Sequence, residues 1–244
     1  MVRASLFATC LVDQFFPQVG VSTVNLLRRL EVQVDFPVGQ TCCGQPAFNS
    51  GYRSHALPLA LRWLDLFQDS EYVVVPSGSC AAMLKVYTPE LLKDNPKDAQ
   101  RAVELARRTY ELSQFLVDVL KVTDVGASYP ARITYHASCH LLRELGVSSQ
   151  PLALLRGVRG AEFAPMEAAT ECCGFGGTFA VKYADISTAI LAGKLRAIEV
   201  TEAEAVVACD MGCLMHMGGA MRRRGMKTRP MHLACSHVPK SSPS

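Results

Sequence analysis

The chain has 244 residues, 49% of them apolar and 19% charged, with a formal net charge of +3. That supply of apolar side chains supports one large core or two halves of about 120 residues, and it excludes a chain disordered throughout. The modest charge demands neither nucleic acid nor a membrane surface, and no apolar run approaches the roughly 20 residues that span a bilayer.

In chain order, Ala4-Ser5-Leu6-Phe7-Ala8-Thr9-Cys10 is a short apolar run ending at a cysteine, which predicts a buried strand. Its apolar stretch falls short of the roughly 7–15 residues of a signal peptide, so the chain reads as cytoplasmic. The adjacent pair Cys42-Cys43 comes next, followed by Gly44. From Tyr52 to Phe67, Leu57, Ala60, Leu61, Leu64 and Phe67 recur every three or four residues, the mark of a helix with one apolar face. Val73-Val74-Val75 then predicts a second buried strand, delivering Cys80 through the turn Pro76-Ser77-Gly78-Ser79. Residues 97–121 read as a longer, more charged helix joining two halves.

The second half repeats this order. Ile133-Thr134-Tyr135-His136-Ala137-Ser138 leads into Cys139, and Cys172-Cys173 is followed by Gly174. Ala180 to Val200 predicts a helix through Ile186, Ile190, Leu191, Leu195 and Ile198. Val206-Val207-Ala208 leads to Cys213, and a short strand, Thr228 to Leu233, precedes Cys235. The final residues, 239–244, cannot bury anything and read as a disordered tail.

Ten cysteines in a chain with an ample core point to metal or redox chemistry rather than structural disulfides. Eight of them fall into two matched series: Cys10, Cys42, Cys43 and Cys80, then Cys139, Cys172, Cys173 and Cys213. The interval from lone cysteine to pair is 32 positions in the first series and 33 in the second; from pair to last cysteine it is 37 and 40. The expected fold is α/β, with two pseudo-symmetric repeats over residues 1–125 and 126–238. Each is a small, mostly parallel sheet flanked by helices, with cysteines at strand ends and loops, where open α/β sheets place ligands.

Four thiolates per half match the complement of a [4Fe–4S] cluster, and glycine beside each pair permits close backbone approach. Two iron–sulfur clusters are therefore expected. Zinc prefers Cys-x-x-Cys knuckles, since adjacent cysteines strain to reach one small tetrahedral ion. A zinc-stabilised scaffold or redox sensor is the weaker, non-enzymatic alternative.

Other residues carry less specific signals. His216 stands three residues after Cys213, either as a fifth ligand or as a hydrogen-bonding side chain on the following helix. His136 and His140 flank Cys139 and suit either a hydrogen bond to cluster sulfur or a turn cap. Met83 suits core packing, Cys209 a buried strand thiol, and Cys235 a non-ligating position. Gly174-Phe175-Gly176-Gly177-Thr178 has no following Lys-Ser/Thr, so cluster approach explains it better than phosphate binding. The basic run Arg222-Arg223-Arg224-Gly225-Met226-Lys227 suits a helix C-terminus or docking to an acidic partner.

A lone cysteine, a Cys-Cys-Gly and a further cysteine, given twice over residues 1 to about 235, resemble the CCG cysteine-rich family. That family includes the cysteine-rich subunit of heterodisulfide reductase and the iron–sulfur subunit of glycolate oxidase. Val75 to Met83 and Asp210 to His216 are most similar to its lactate-utilisation branch. The resemblance implies an electron-transfer subunit of a cytosolic complex oxidising L-lactate to pyruvate, alongside a ferredoxin-like iron–sulfur subunit and a further partner. The fullest family motif ends in Cys-x-x-Cys, but here the fifth position holds Met83 and His216. That departure counts against the alternative of cluster-based disulfide reduction.

Overall fold

The computed structural model describes residues 1–236, so the predicted tail at 239–244 lies outside the described residues. Its framework is eight short strands: β1 (Arg3–Leu6), β2 (Gln33–Asp35), β3 (Tyr72–Val75), β4 (Thr109–Glu111), β5 (Arg132–Tyr135), β6 (Glu162–Phe163), β7 (Ala205–Ala208) and β8 (Arg229–His232). They form two four-stranded sheets ordered β2-β1-β3-β4 and β6-β5-β7-β8. Each pairing within these sheets is parallel. The central strands carry the β-branched runs, and Val73, Val74, Val75, Val206 and Val207 have no exposed surface. Such side chains suit strands covered on both faces. The two-repeat α/β architecture expected from the cysteine spacing is the one observed.

The amphipathic helices form where the apolar spacing places them, over Arg53–Phe67 and Ala184–Val200, the latter preceded by a separate turn at Phe179–Lys182. One expectation is corrected. Residues 97–121 do not form a single joining helix: the helix ends at Arg107, the chain enters β4, and helical turns resume over Leu112–Gln114 and Phe115–Val119. Thr109 and Glu111 face inward and are fully buried, which removes this segment from the helical pattern. A three-residue strand with polar ends gives almost no periodic signal.

The sheets share their packing. Ala4, Leu26 and Val74 of the first half and Ile133, Tyr135 and Val207 of the second belong to one buried cluster. Val12 and Val19 reach across to Met166, Leu191 and Leu214.

Glu111 lies against this shared core. Its Oε2 accepts hydrogen bonds from the backbone N–H groups of Ser113 and Gln114 and from the Ser113 hydroxyl. Burial outweighs those donors and lifts its pKa from 4.5 to about 7. The native state therefore holds an extra proton between about pH 4.5 and 7, and stability falls as pH rises through that window. The full penalty, on the order of 3 kcal/mol, is present above pH 7. Glu111→Gln keeps the acceptor oxygen without the charge. It is expected to flatten this dependence and to unfold at higher denaturant than the parent at pH 8, but not at pH 4.

Candidate metal centre

In an open parallel sheet, the crevice lies where neighbouring strands send their connections in opposite directions. The order β2-β1-β3 puts that point at the C-terminal ends of β1 and β3, and β6-β5-β7 puts it beside β5 and β7. Each of these four strand ends delivers one cysteine. Cys10 opens a short helix capped by the Thr9 hydroxyl, which accepts from the Val12 N–H at 3.4 Å. The Ser77 hydroxyl caps the turn that presents Cys80, at 3.3 Å from its N–H. Cys139 follows β5, and Asp210 caps the helix Met211–Arg223 that carries Cys213. The Cys-Cys pairs arrive on the loops after β2 and β6.

All eight cysteines of the two series line one cavity of about 190 Å³. In the first quartet, Sγ of Cys10 lies 3.8 Å from Cys42 and Sγ of Cys43 lies 3.4 Å from Cys80. In the second, Cys139 interacts with Cys172 and Cys173 with Cys213, the same pairing. The sulfurs are free thiols, well outside the bond length of about 2.05 Å of a disulfide. In both halves the first cysteine of the pair is held toward the thiolate. Cys10 and then Cys43 donate to Cys42, with a further contribution from the Gly44 N–H; Cys139, Cys173 and the Gly174 N–H do the same for Cys172. Hydrogen bonding to an anionic partner raises Cys43 and Cys173 well above the usual thiol range.

The glycine after each pair has a backbone reason. Gly44 and Gly174 adopt φ of +89° and +88°, turning their N–H groups back to Sγ of Cys42 at 3.5 Å and Cys172 at 3.3 Å. Alanine at either position incurs left-handed strain of about 1–2 kcal/mol. At Gly174 a Cβ would also stand 2.6 Å from the Ser187 carbonyl, whereas at Gly44 its nearest neighbour is 3.6 Å away. Gly174→Ala is therefore expected to cost about 3 kcal/mol or more and Gly44→Ala about half that, measured by denaturant unfolding. Equal losses would contradict this placement.

Two converging thiol quartets, with backbone donors aimed at them and an intervening cavity, suit multinuclear iron–sulfur groups better than single small ions. Of the other candidates, His140 borders the cavity and Cys209, Cys235, Met83 and His216 lie away from it. Cys209 is fully buried against the Tyr135 hydroxyl at 3.8 Å, and Cys235 faces Ser22 Oγ at 3.7 Å. Met83 is fully buried in the first-half core. His216 Nε2 lies 3.3 Å from Ser187 Oγ, with its ring on Phe175. His140 Nδ1 is 3.7 Å from its neighbour Cys139 Sγ and lines the cavity.

A second histidine, His136, also stands beside this quartet, one ring nitrogen lying within 4.8 Å of Sγ of both Cys173 and Cys213. It is fully buried, and neither ring nitrogen makes a hydrogen bond. Burial and then the charge of Lys194 pull its pKa down to about 3, leaving a neutral imidazole.

Two participants give little sign of themselves in the sequence. Lys194 is 1% exposed, and its ammonium donates to the Ala168 carbonyl. Its one signal is a lysine inside the apolar series Leu191, Leu195, Ile198. Asp210 is 4% exposed and joins the halves: Oδ2 accepts from Ser77 Oγ at 3.0 Å and the Ser79 N–H at 2.8 Å, while Oδ1 accepts from the Gly212 N–H at 3.0 Å. The Gly78 N–H to Cys209 carbonyl bond, 3.0 Å, runs alongside.

The family model described as CCG, cysteine-rich domain, matches residues 4–85 and 133–218. Lactate utilization protein A of Geobacillus kaustophilus is 52% identical over 96% of this chain and 97% of its own length. The protein of the same name from Bacillus subtilis is 50% identical over 96% and 98%. Among solved structures, a hypothetical protein from Helicobacter pylori shares the fold at a TM-score of 0.69 and 10% identity. That match covers 98% of this chain, which spans about half the length of the Helicobacter protein, 49%.

Proposed function

Since the chain belongs to the CCG cysteine-rich family, we propose that it acts in lactate utilisation, as the iron–sulfur electron-transfer subunit of a complex that oxidises L-lactate to pyruvate. The observation that carries this reading is the gathering of Cys10, Cys42, Cys43 and Cys80, and of Cys139, Cys172, Cys173 and Cys213, around one cavity. Each quartet would hold one cluster, through cysteines at equivalent strand ends and loops of the two repeats; the clusters would supply reversible one-electron storage. The chain's own contribution is to fix those thiols on four strand ends and two loops, direct the Gly44 and Gly174 N–H groups at sulfur, and exclude water around Cys43, Cys80, Cys173 and Cys213, all buried. The name shared by the relatives supports the lactate assignment. The exposed Arg222, Arg223 and Arg224 support docking to an acidic face of a partner subunit.

The full chain, purified without oxygen and reconstituted with iron and sulfide, is expected to be brown and to bind about eight irons and eight sulfides. The native complex, isolated through this chain, is expected to contain a second iron–sulfur subunit and to bleach on adding L-lactate. Iron-free protein, or a complex indifferent to lactate, would overturn the corresponding half of the reading.

One observation favours a second reading, cluster-based disulfide reduction: the two quartets face a common cavity with room between them. The fifth thiolate of that chemistry is missing, however, since Met83 is core and His216 binds Ser187. Turnover of a heterodisulfide by the loaded chain with a viologen donor would favour this second reading.

A further inference from the structure

The two halves repeat their cysteines but not the surroundings of those cysteines. Three residues before the first cysteine, the first half carries Phe7 and the second carries His136. Phe7 is buried against Phe67, with ring centroids 5.7 Å apart. The helices over the quartets also match in pattern. Buried Ala56, Ala60, Trp63, Leu64 and Phe67 recur with identical spacing as Ser187, Leu191, Lys194, Leu195 and Ile198. Trp63 thus has Lys194 as its counterpart. The first quartet shares a buried cluster with Phe7, Phe67 and Trp63, whose indole N–H is buried without a partner; the second has the His136 imidazole beside Cys173 and Cys213, and Lys194 buried on the helix whose Leu191 and Leu195 pack in the same cluster as those cysteines.

We propose that His136 and Lys194 poise the second-half centre at a higher reduction potential than the first, so that an electron delivered to the chain settles at Cys139, Cys172, Cys173 and Cys213. The inference rests on the iron–sulfur reading above and adds a direction to it. Reduction adds negative charge to a cluster and its thiolates, so groups that stabilise negative charge raise the potential. Both ways in which an imidazole can engage such a centre act in that sense. An N–H draws charge from thiolate sulfur, and imidazole nitrogen on iron raises the potential of clusters that carry it. Burial works against the charged form of Lys194, while Glu171 and then Cys173, Cys213 and Cys172 favour it; as an ammonium it favours negative charge on those sulfurs, in a setting where charges are weakly screened. Glu171 and Asp210 oppose that effect on the sulfurs. Asp210 already accepts three hydrogen bonds and is shared between the halves, so its opposition is blunted.

The test is a redox titration of the reconstituted full chain, followed by electron paramagnetic resonance under anaerobic conditions with dithionite as the one-electron donor. Two waves are expected, separated by at least a tenfold difference in reduced-to-oxidised ratio, about 59 mV. Cys173→Ser is expected to remove the higher wave and Cys43→Ser the lower. His136→Leu and Lys194→Met are each expected to lower the higher wave and leave the other in place. His136→Asn, which keeps a polar donor in less volume, is expected to retain more of the difference than His136→Leu and guards against a packing artefact. Full iron with coincident waves, loss of the lower wave in Cys173→Ser, or an unmoved higher wave in both His136→Leu and Lys194→Met would overturn this proposal alone. Iron-free parent protein would overturn it together with the reading on which it rests.

Discussion

Cys43→Ser or Cys173→Ser is expected to lower bound iron by about half, from about eight to about four per chain, while the other half keeps its complement. Both residues are buried, 3% and 2% exposed, and each is the member of its pair nearer the last cysteine of its quartet. Serine at either place is close to thiol in size, so packing changes little. The loss therefore reports ligation rather than collapse. Cys209→Ser is the matched control: its thiol is equally buried but faces Tyr135, and its iron content should equal that of the parent. Iron analysis after anaerobic reconstitution decides between these outcomes. Loss of all iron from Cys43→Ser would show that the quartets are not independent, and unchanged iron in both variants would remove these cysteines from the ligand set.

Asp210→Ala is expected to destabilise the chain by about 3–5 kcal/mol, because a buried carboxylate with three donors is replaced by nothing that accepts. The Ser77 hydroxyl and the N–H groups of Ser79 and Gly212 would be left without their acceptor. Asp210→Asn retains one acceptor oxygen and should lose less. Because Ser77 to Cys80 on one side and the helix bearing Cys213 on the other both depend on this carboxylate, the alanine variant should lose iron from both halves. Anaerobic denaturant unfolding with iron analysis checks both parts, and an alanine variant within about 1 kcal/mol of the parent would refute the bridging role.

These two expectations come from different levels of description. The eight cysteines can be paired off by counting along the chain, because a repeat copies residue types at nearly fixed intervals, 32 against 33 and 37 against 40. The strands that carry them are equally legible, since Val73-Val74-Val75 and Val206-Val207-Ala208 are apolar runs bounded by turn residues. β4 is not, because three residues with polar ends make no pattern and are fixed by pairing with β3. Asp210 and His136 look ordinary for a related reason. A helix cap and a strand-end histidine are common, and their importance comes from Ser77, Ser79, Cys173 and Cys213, most of them far away along the chain.

Local sequence alone determined the α/β class, the internal repeat and the two matched sets of four cysteines, since periodicity and spacing are properties of neighbouring residues. Only the tertiary structure decided that both quartets open onto one cavity, that a carboxylate ties their strand ends together, and that one quartet shares its cluster with aromatic rings while the other has an imidazole beside two of its sulfurs. The carboxylate bridge, for one, joins segments 133 positions apart, Ser77 and Asp210, and no local pattern encodes such a contact.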